Sequence, residues 1–337
     1  MKLHDKILLE HGGGGLLTGE LIEQVLLPRL SNPHLRQLTD SALVAIGDQR
    51  LCFTTDCYVV SPLIFPGGDI GSLAVHGTVN DLAVCGARPL FLSAGFIIEE
   101  GFATAQLEHI VDSMAAAAAR ACVQVVAGDT KVVPRGAADG LYITTSGVGE
   151  FMYGQQLSPL AIRPGDAVIV NGPAGDHGAA ILCARQDIGF SSTVLSDSAP
   201  LGSLVQDMLK ASPHIHCMRD ATRGGLGAVL AEIAQQSGRD ISVRENDIPL
   251  RERVRGVCEM LGLDPLYLAN EGKLVVFCAA KDAPAVLAAM HAHEQGREAA
   301  RIGTVLESGR GRAVLTTLIG GERVIDRPTG ELVPRIC

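Results

Sequence analysis

The sequence predicts a mixed α/β (α+β) fold in two domains, closed by an extended C-terminal tail. Three observations carry this reading. Short runs rich in β-branched residues recur along the chain, amphipathic helical patterns lie between them, and a stretch of loop chemistry divides the chain near its middle. At about 100–200 residues per domain, 337 residues suffice for two.

Leu21, Ile22, Val25 and Leu26 mark the first helical face, with Thr18 as its cap. Strand-like runs follow at Ala42–Ile46, Leu51–Thr54 and Cys57–Val60. Thr104 is expected to cap a helix that runs through the alanines at 115–119, and Cys122–Val126 and Leu141–Thr145 read as strands. Gln155-Gln156-Leu157-Ser158-Pro159 then leads into Arg163-Pro164-Gly165-Asp166, which is loop composition. It places a first domain at 1–155 and a second at 156–324, opened by the strand Ala167–Val170. In the second domain Leu226, Val229, Leu230 and Ile233 share a helix face that stops at Gly238, and Val254, Val257, Cys258 and Leu261 share another. Leu274–Ala279 and Ala313–Ile319 read as strands. Residues 325–337 show no helical period and contain Pro328 and Pro334, so a flexible tail is expected; twelve residues reach about 40 Å when extended.

The charge balance of −9 and an aromatic content of 4% with no Trp argue against nucleic acid and against an anionic membrane as partners. A nucleotide substrate remains possible where cations offset the acidic groups. No apolar run approaches the ~20 residues of a membrane span, and Met1-Lys2-Leu3-His4-Asp5-Lys6 carries no signal-peptide pattern. Nine cysteines without a C-x-x-C pair read as small buried apolar residues in a reducing compartment. The expectation is a cytoplasmic protein.

Four carboxylates stand at the ends of apolar runs. Asp56 follows Thr54-Thr55 at a strand end, Asp81 follows Asn80 on a helix, Asp129 follows the strand Val123–Val126, and Asp220 precedes a helix. Strand ends and helix starts converge on one rim of an α/β sheet, where ligands bind. Carboxylates gathered there suit Mg²⁺, a hard ion that takes oxygen ligands and substrate phosphates. Each alone is also what a turn or a helix cap uses; their joint occurrence with Lys131 points to a site. His11-Gly12-Gly13-Gly14-Gly15 is either a flexible linker or a strap that presents backbone N–H groups to an anion. Neither a Walker A motif nor a well-placed G-x-G-x-x-G occurs, so phosphate binding needs another scaffold. His214-Ile215-His216-Cys217 has no zinc spacing, and His291 and His293 read as solvated. Glu271, just before a strand, is a turn residue or a general base. Cys337 is the last residue. Its own α-carboxylate disfavours the thiolate, and Arg335 offsets this. A thiol on a flexible arm can swing between two sites, or is simply a free thiol at a frayed end.

Thr54-Thr55-Asp56, Asn80-Asp81-Leu82-Ala83 with Gly86-Ala87-Arg88-Pro89, Ala127-Gly128-Asp129-Thr130 and Asp220-Ala221-Thr222-Arg223-Gly224-Gly225 follow one another as in the PurM-like ATP-binding superfamily, which the chain resembles over nearly its whole length. The ending Pro334-Arg335-Ile336-Cys337 is similar to that of its carbamoyl dehydratase family of nickel–iron hydrogenase maturation. The resemblance implies an N-terminal α/β domain whose sheet helps build a homodimer, a C-terminal α/β domain, and ATP between them. It implies Mg²⁺ held by Asp56, Asp81 and either Asp220 or Asp129, with Asn80, Thr130 and the glycines Gly12, Gly13, Gly14 and Gly15 near the nucleotide. It further implies that a carbamoyltransferase, HypF, places a carboxamide on Cys337. ATP-dependent dehydration would turn it into a thiocyanate, and the cyano group would pass to iron on a HypC–HypD complex. In that chemistry Lys131 would stabilise developing charge and Glu271 would be the base. Two rival readings remain. One is another synthetase or kinase of the superfamily, chiefly of the selenophosphate synthetase type, which carries a reactive residue in its N-terminal glycine loop; here no cysteine precedes Cys52. The other is a non-catalytic nucleotide-binding scaffold.

Overall fold

The structure is a computed structural model, and it describes residues 6–151, 154, 157–185, 193–307, 309–330 and 333–337. Helix α1 (Leu16–Leu21) continues through a π-helical turn, Ile22–Leu26, into α2 (Leu27–Leu30). It begins directly after Gly15, so Thr18 lies inside the first turn and is not its cap; its hydroxyl accepts the Gly14 N–H at 2.9 Å.

The first domain is a sheet covered on one face. Its strands are β1 (Ala42–Ile46), β2 (Gln49–Tyr58), β5 (Ala87–Glu99), β6 (Gln124–Val133) and β7 (Leu141–Phe151), in the order β1-β2-β7-β5-β6, with a small hairpin of β3 (Ile64–Phe65) and β4 (Gly68–Asp69) alongside. The two runs predicted at 51–60 are one strand, because Thr54-Thr55-Asp56 pair with β7 without a break. Helix α3 (Ile70–Val84) lies on the sheet, and α4 (Thr104–Arg120) packs beside it. Asp69 caps α3 by accepting the Gly71 and Ser72 N–H groups at 2.8 and 2.9 Å. Nearly every residue of α3 is buried, so no polar face marks it in the sequence. Ala103, and not Thr104, is the cap residue of α4. The β5–α4–β6 crossover makes β5 and β6 parallel, and β6 forms one edge. Strand β6 runs on through Gly128 to Val133, past its predicted end at Val126. A Cβ at Gly128 would meet the Ala94 carbonyl at 2.7 Å, so its glycine marks close strand contact where the sequence suggests a turn.

The second domain is a sheet of β8 (Ala167–Val170), β9 (Ile215–Asp220), β10 (Ile241–Arg244), β11 (Leu274–Cys278), β12 (Ala300–Val305), β13 (Ala313–Thr316) and β14 (Glu322–Ile325). Its order is β14-β13-β10-β12-β8-β11-β9, antiparallel except where β10 meets β13. Helix α7 (Gly225–Ser237) covers one face and α6 (Gly202–Ala211) with α9 (Ala283–His291) the other. Helices α5 (Asp176–Ala184) and α8 (Glu252–Leu261) pack together toward the first domain. Gly238 ends α7 in the left-handed conformation, as predicted. Ala83 and Val84 of α3 share a core with α6 and β9, so the two domains meet along α3. The boundary predicted at 155/156 lies outside the described residues.

None of the nine cysteines is in a disulfide, but Cys57 and Cys122 are exposed, unlike the buried residues expected. His291 is exposed, as predicted, and His293 is half-buried; they are hydrogen-bonded to the Ala299 carbonyl and the Ser203 hydroxyl. Among the described residues no helix is long and apolar enough to cross a membrane.

Candidate active site

The cleft between the domains collects carboxylates from both. Asp56 comes from β2, Asp81 from α3, Asp220 from the end of β9, Glu271 from the turn before β11, and Asp40 from the residues before β1. They line a cavity of about 180 Å³ together with Tyr58, Thr222, Arg223 and Cys337. The site therefore spans two sheets, and not one rim as the sequence suggests. Carboxylate oxygens of Asp40, Asp81 and Asp220 lie within 4.8 Å of one another.

Polar neighbours fix these groups. The Thr54 hydroxyl sits 2.8 Å from Asp81 Oδ2 and 2.9 Å from the Asp40 carbonyl. The Tyr58 hydroxyl donates to Asp56 Oδ2 at 3.2 Å. Tyr58 can reach there because α3 carries Gly77, where a Cβ would stand 2.3 Å from that hydroxyl. Arg219 Nε pairs with Asp40 Oδ1 at 2.7 Å. Asp197 accepts the Glu271 and Gly272 N–H groups at 3.1 and 3.2 Å and pairs with Lys273 Nζ at 2.9 Å.

Burial and mutual repulsion raise the pKa values of these carboxyls. Burial, then Asp56, Asp220 and Asp40, push Asp81 well above the usual carboxylate range. Burial, then Asp40, pushes Asp220 up to about 8. Glu271 is likewise pushed well up by burial and by Asp220, while Arg223 acts in the opposite sense. Its Oε1 is buried and has no hydrogen-bond partner. Buried acceptors held this close favour a hard cation that would offset their charge.

A second cavity of about 490 Å³ adjoins the first and shares Asp40, Asp220, Thr222 and Arg223 with it. Gly14, Thr18, Arg219 and Glu232 also line it. The glycine run is therefore seated at the cleft. Arg223 donates to the Gly12 carbonyl at 3.4 Å, and Gly14 rests on the Arg223 side chain. Gly15 faces the Pro328 carbonyl so closely that a Cβ would stand 2.4 Å from it.

The tail is not free. Val59 N–H donates to the Cys337 carbonyl at 3.0 Å and Ser61 N–H to that of Arg335 at 3.1 Å, which extends the edge of β2 by a short ladder. Val333 and Ile336 are buried in the core beneath α5 and α3. Arg335 adopts a left-handed φ of 54°, pairs with Asp139 and lies over the Tyr142 ring.

Of the residues singled out from sequence, the fold thus unites Asp56, Asp81, Asp220, Glu271 and Cys337. It does not bring Asp129, Thr130 or Lys131 to them within one protomer. These stand exposed on β6, where Lys131 and Asp129 pair with each other at 2.8 Å. Asn80 is buried and its amide is engaged by backbone: it donates to the Ala199 and Glu271 carbonyls and accepts from Leu201 N–H. It clasps α3 to the second domain and presents no group to the cavity. His214 and His216 pair separately with Asp282 and Asp166. Sequence reading missed Asp40, Arg219, Asp197 and the cavity role of Arg223. Thr39-Asp40-Ser41 reads as an ordinary turn into a strand, while the Arg219-Asp220 and Thr222-Arg223 neighbours were a signal at hand.

Residues 38–151 match the AIR synthase related protein N-terminal domain, and residues 163–316 match its C-terminal domain. The fold and its interdomain acidic cleft are thus those of the PurM-like superfamily. The chain is 53% identical over 327 residues to carbamoyl dehydratase HypE of Azotobacter vinelandii, covering 97% of this chain and 96% of that protein. It superposes on a HypE–HypF complex structure with a TM-score of 0.87 at 44% identity, covering 91% of this chain and 99% of that one. A HypE structure in complex with ATP gives a TM-score of 0.82 at 46% identity, covering 98% and 100%. The chain belongs to the HypE family of carbamoyl dehydratases, which serve hydrogenase maturation.

Proposed function

We propose that the chain uses ATP to dehydrate a carboxamide carried on its own Cys337 to a thiocyanate, the source of a cyanide ligand for a hydrogenase iron site. The observation that carries this reading is the placement of the terminal thiol in the acidic cavity beside Glu271 and Arg223. ATP fits the adjoining 490 Å³ cavity, with its phosphates toward Arg223 and the glycine run. The donor set of Asp40, Asp81 and Asp220, with Asp56 at its rim, would hold Mg²⁺, which supplies charge neutralisation for the triphosphate.

The chain's own groups then position and stabilise. The carboxamide oxygen on Cys337 attacks the γ-phosphorus and ADP leaves. Phosphate departs with that oxygen, both N–H protons are lost, and S–C≡N remains. Within one protomer Arg223 lies where charge develops, and it shares with Lys131 of a second copy the role sequence reading gave to Lys131 alone. Glu271 has the proton affinity to take an N–H proton once nearby positive charge has drawn off its own.

Loading by a HypF-type carbamoyltransferase and delivery to a HypC–HypD complex fit the family and require the tail to leave the cavity. Nine cysteines with no disulfide among them suit a reducing cytoplasm. Mass spectrometry of the C-terminal peptide tests the reading. Incubation with an active carbamoyltransferase, carbamoyl phosphate and Mg²⁺ should add a carboxamide to Cys337. That adduct should lose one water only when ATP is present. An unmodified Cys337, or water loss without ATP, would sink it.

A further inference from the structure

Cys337 must be held in the cavity for dehydration and released for loading and delivery, so something must grip the tail without gripping the reacting atoms. Beside the backbone ladder from Val59 and Ser61, helix α5 and the residue that follows it add a side-chain grip. His177, in its first turn, lies with Nε2 2.8 Å from the Ile336 carbonyl. Arg185, just past its end, donates to the carbonyls of Pro334 and Arg335 and to that of Ser61. Three consecutive tail carbonyls are thus bound by the side chains of His177 and Arg185, and each of these hydrogen bonds is to backbone. None depends on what the sulfur carries.

The tautomer of His177 follows from its partners. A carbonyl only accepts, so Nε2 carries the proton. Nδ1, 2.8 Å from Ser196 Oγ, then accepts the serine hydroxyl, whose oxygen in turn accepts Ser198 N–H at 3.1 Å. Burial keeps the ring neutral, which preserves this arrangement. Between the two serines stands Asp197, which holds the backbone N–H groups of Glu271 and Gly272. The start of α5 is tied to the same turn a second time, since Gly175 N–H donates to Asn270 Oδ1 at 2.7 Å and Gly178 N–H to the Ala269 carbonyl at 2.9 Å.

We propose that His177 is the positioning residue for the Cys337 tail: with Arg185 it latches the tail carbonyls, and through Ser196–Ser198 it sets the seated tail in register with Glu271. It touches no reacting atom. The proposal rests on the dehydratase reading for its purpose, but its test does not. In the full-length protein, with neither ATP nor carbamoyl donor, the rate of iodoacetamide alkylation at Cys337 reports how often the tail is unseated. His177→Leu should raise that rate about tenfold, the worth of one buried hydrogen bond. His177→Gln keeps an N–H donor near the place of Nε2 and should stay within about threefold of the wild type. Equal rates in the two variants, whether both fast or both unchanged, would overturn the proposal. Should His177→Leu fail to fold, Ser196→Ala is expected to raise the rate about threefold, and no change would be equally fatal. With a pre-loaded carboxamide, His177→Leu should slow single-turnover water loss while carbamoyl loading becomes faster. A failure of the dehydratase reading would instead appear as no water loss in the wild type with the alkylation pattern intact.

Discussion

Five carboxylates share one cavity, Asp220 and Glu271 buried and Asp40, Asp56 and Asp81 half-buried, and their repulsion governs how the protein responds to pH. The Asp220 carboxyl, ordinarily near 3.8, is pushed by burial and by Asp40 up to about 8. Between those values the folded chain holds a proton that the unfolded chain has released. Its stability in metal-free buffer therefore falls as pH rises through that window. Mg²⁺ needs the ionised form and so competes with these protons. Thermal unfolding with and without Mg²⁺ at pH 6 and pH 8.5 checks this. The gap between the two midpoints should widen at the higher pH and shrink in Asp40→Asn. A gap indifferent to pH would mean that the cluster is not the metal site. Asp56, Asp81 and Asp220 were legible because each ends an apolar run that feeds the cleft. Asp40 was not, since its charge matters only through its approach to Asp81 and Asp220, and residues 40 and 220 are brought together by tertiary packing alone.

Among the elements, α3 does most to assemble the site. It delivers Asp81 to the cavity, its Asn80 clasps the second domain, and its Gly77 makes room for the Tyr58 hydroxyl that steadies Asp56. Gly77→Ala places a methyl where that hydroxyl stands. It should destabilise the fold by about 1–3 kcal/mol despite alanine's better helix propensity, as overpacking does. The loss should appear in chemical denaturation, with ATP turnover reduced alongside it. A Tyr58→Phe background should recover much of the stability, because the clashing oxygen is gone; no recovery would show that the strain lies elsewhere. An element with a buried and a solvated face, such as α8, could be read from periodicity. Helix α3 could not, because burial all round erases its polar face, and strand β5 could not, because its uncovered face carries apolar residues such as Phe91 and Ile97 that hide the alternation.

At the scale of the molecule, the first sheet is covered by helices on one face only. On the other, and along the β6 edge, Phe53, Phe91, Ile97, Val125, Val126 and Val132 are each more than 40% exposed. An apolar sheet face with an unpaired edge asks for a partner, and a second copy of the same sheet is the simplest one. The α/β class was legible in the mixture of strand and helix patterns and the two-domain plan in the loop composition at mid-chain, but which face stays bare depends on strand order, which no local pattern encodes. A homodimer would also give the exposed triplet Asp129-Thr130-Lys131 a use, by carrying it toward the partner's cleft. Complementation decides this. Lys131→Ala and Cys337→Ala should each abolish dehydration in a uniform dimer. When the two variants are mixed and allowed to exchange, half of the dimers are mixed. If Lys131 acts across the interface, one of the two sites in each mixed dimer regains both groups, and about a quarter of wild-type turnover should return. If Lys131 acts within its own protomer, no mixed dimer contains an intact site and nothing returns. Val126→Asp with Val132→Asp supplies the control. Sedimentation should show a monomer, and mixing should then restore no activity whichever protomer Lys131 serves.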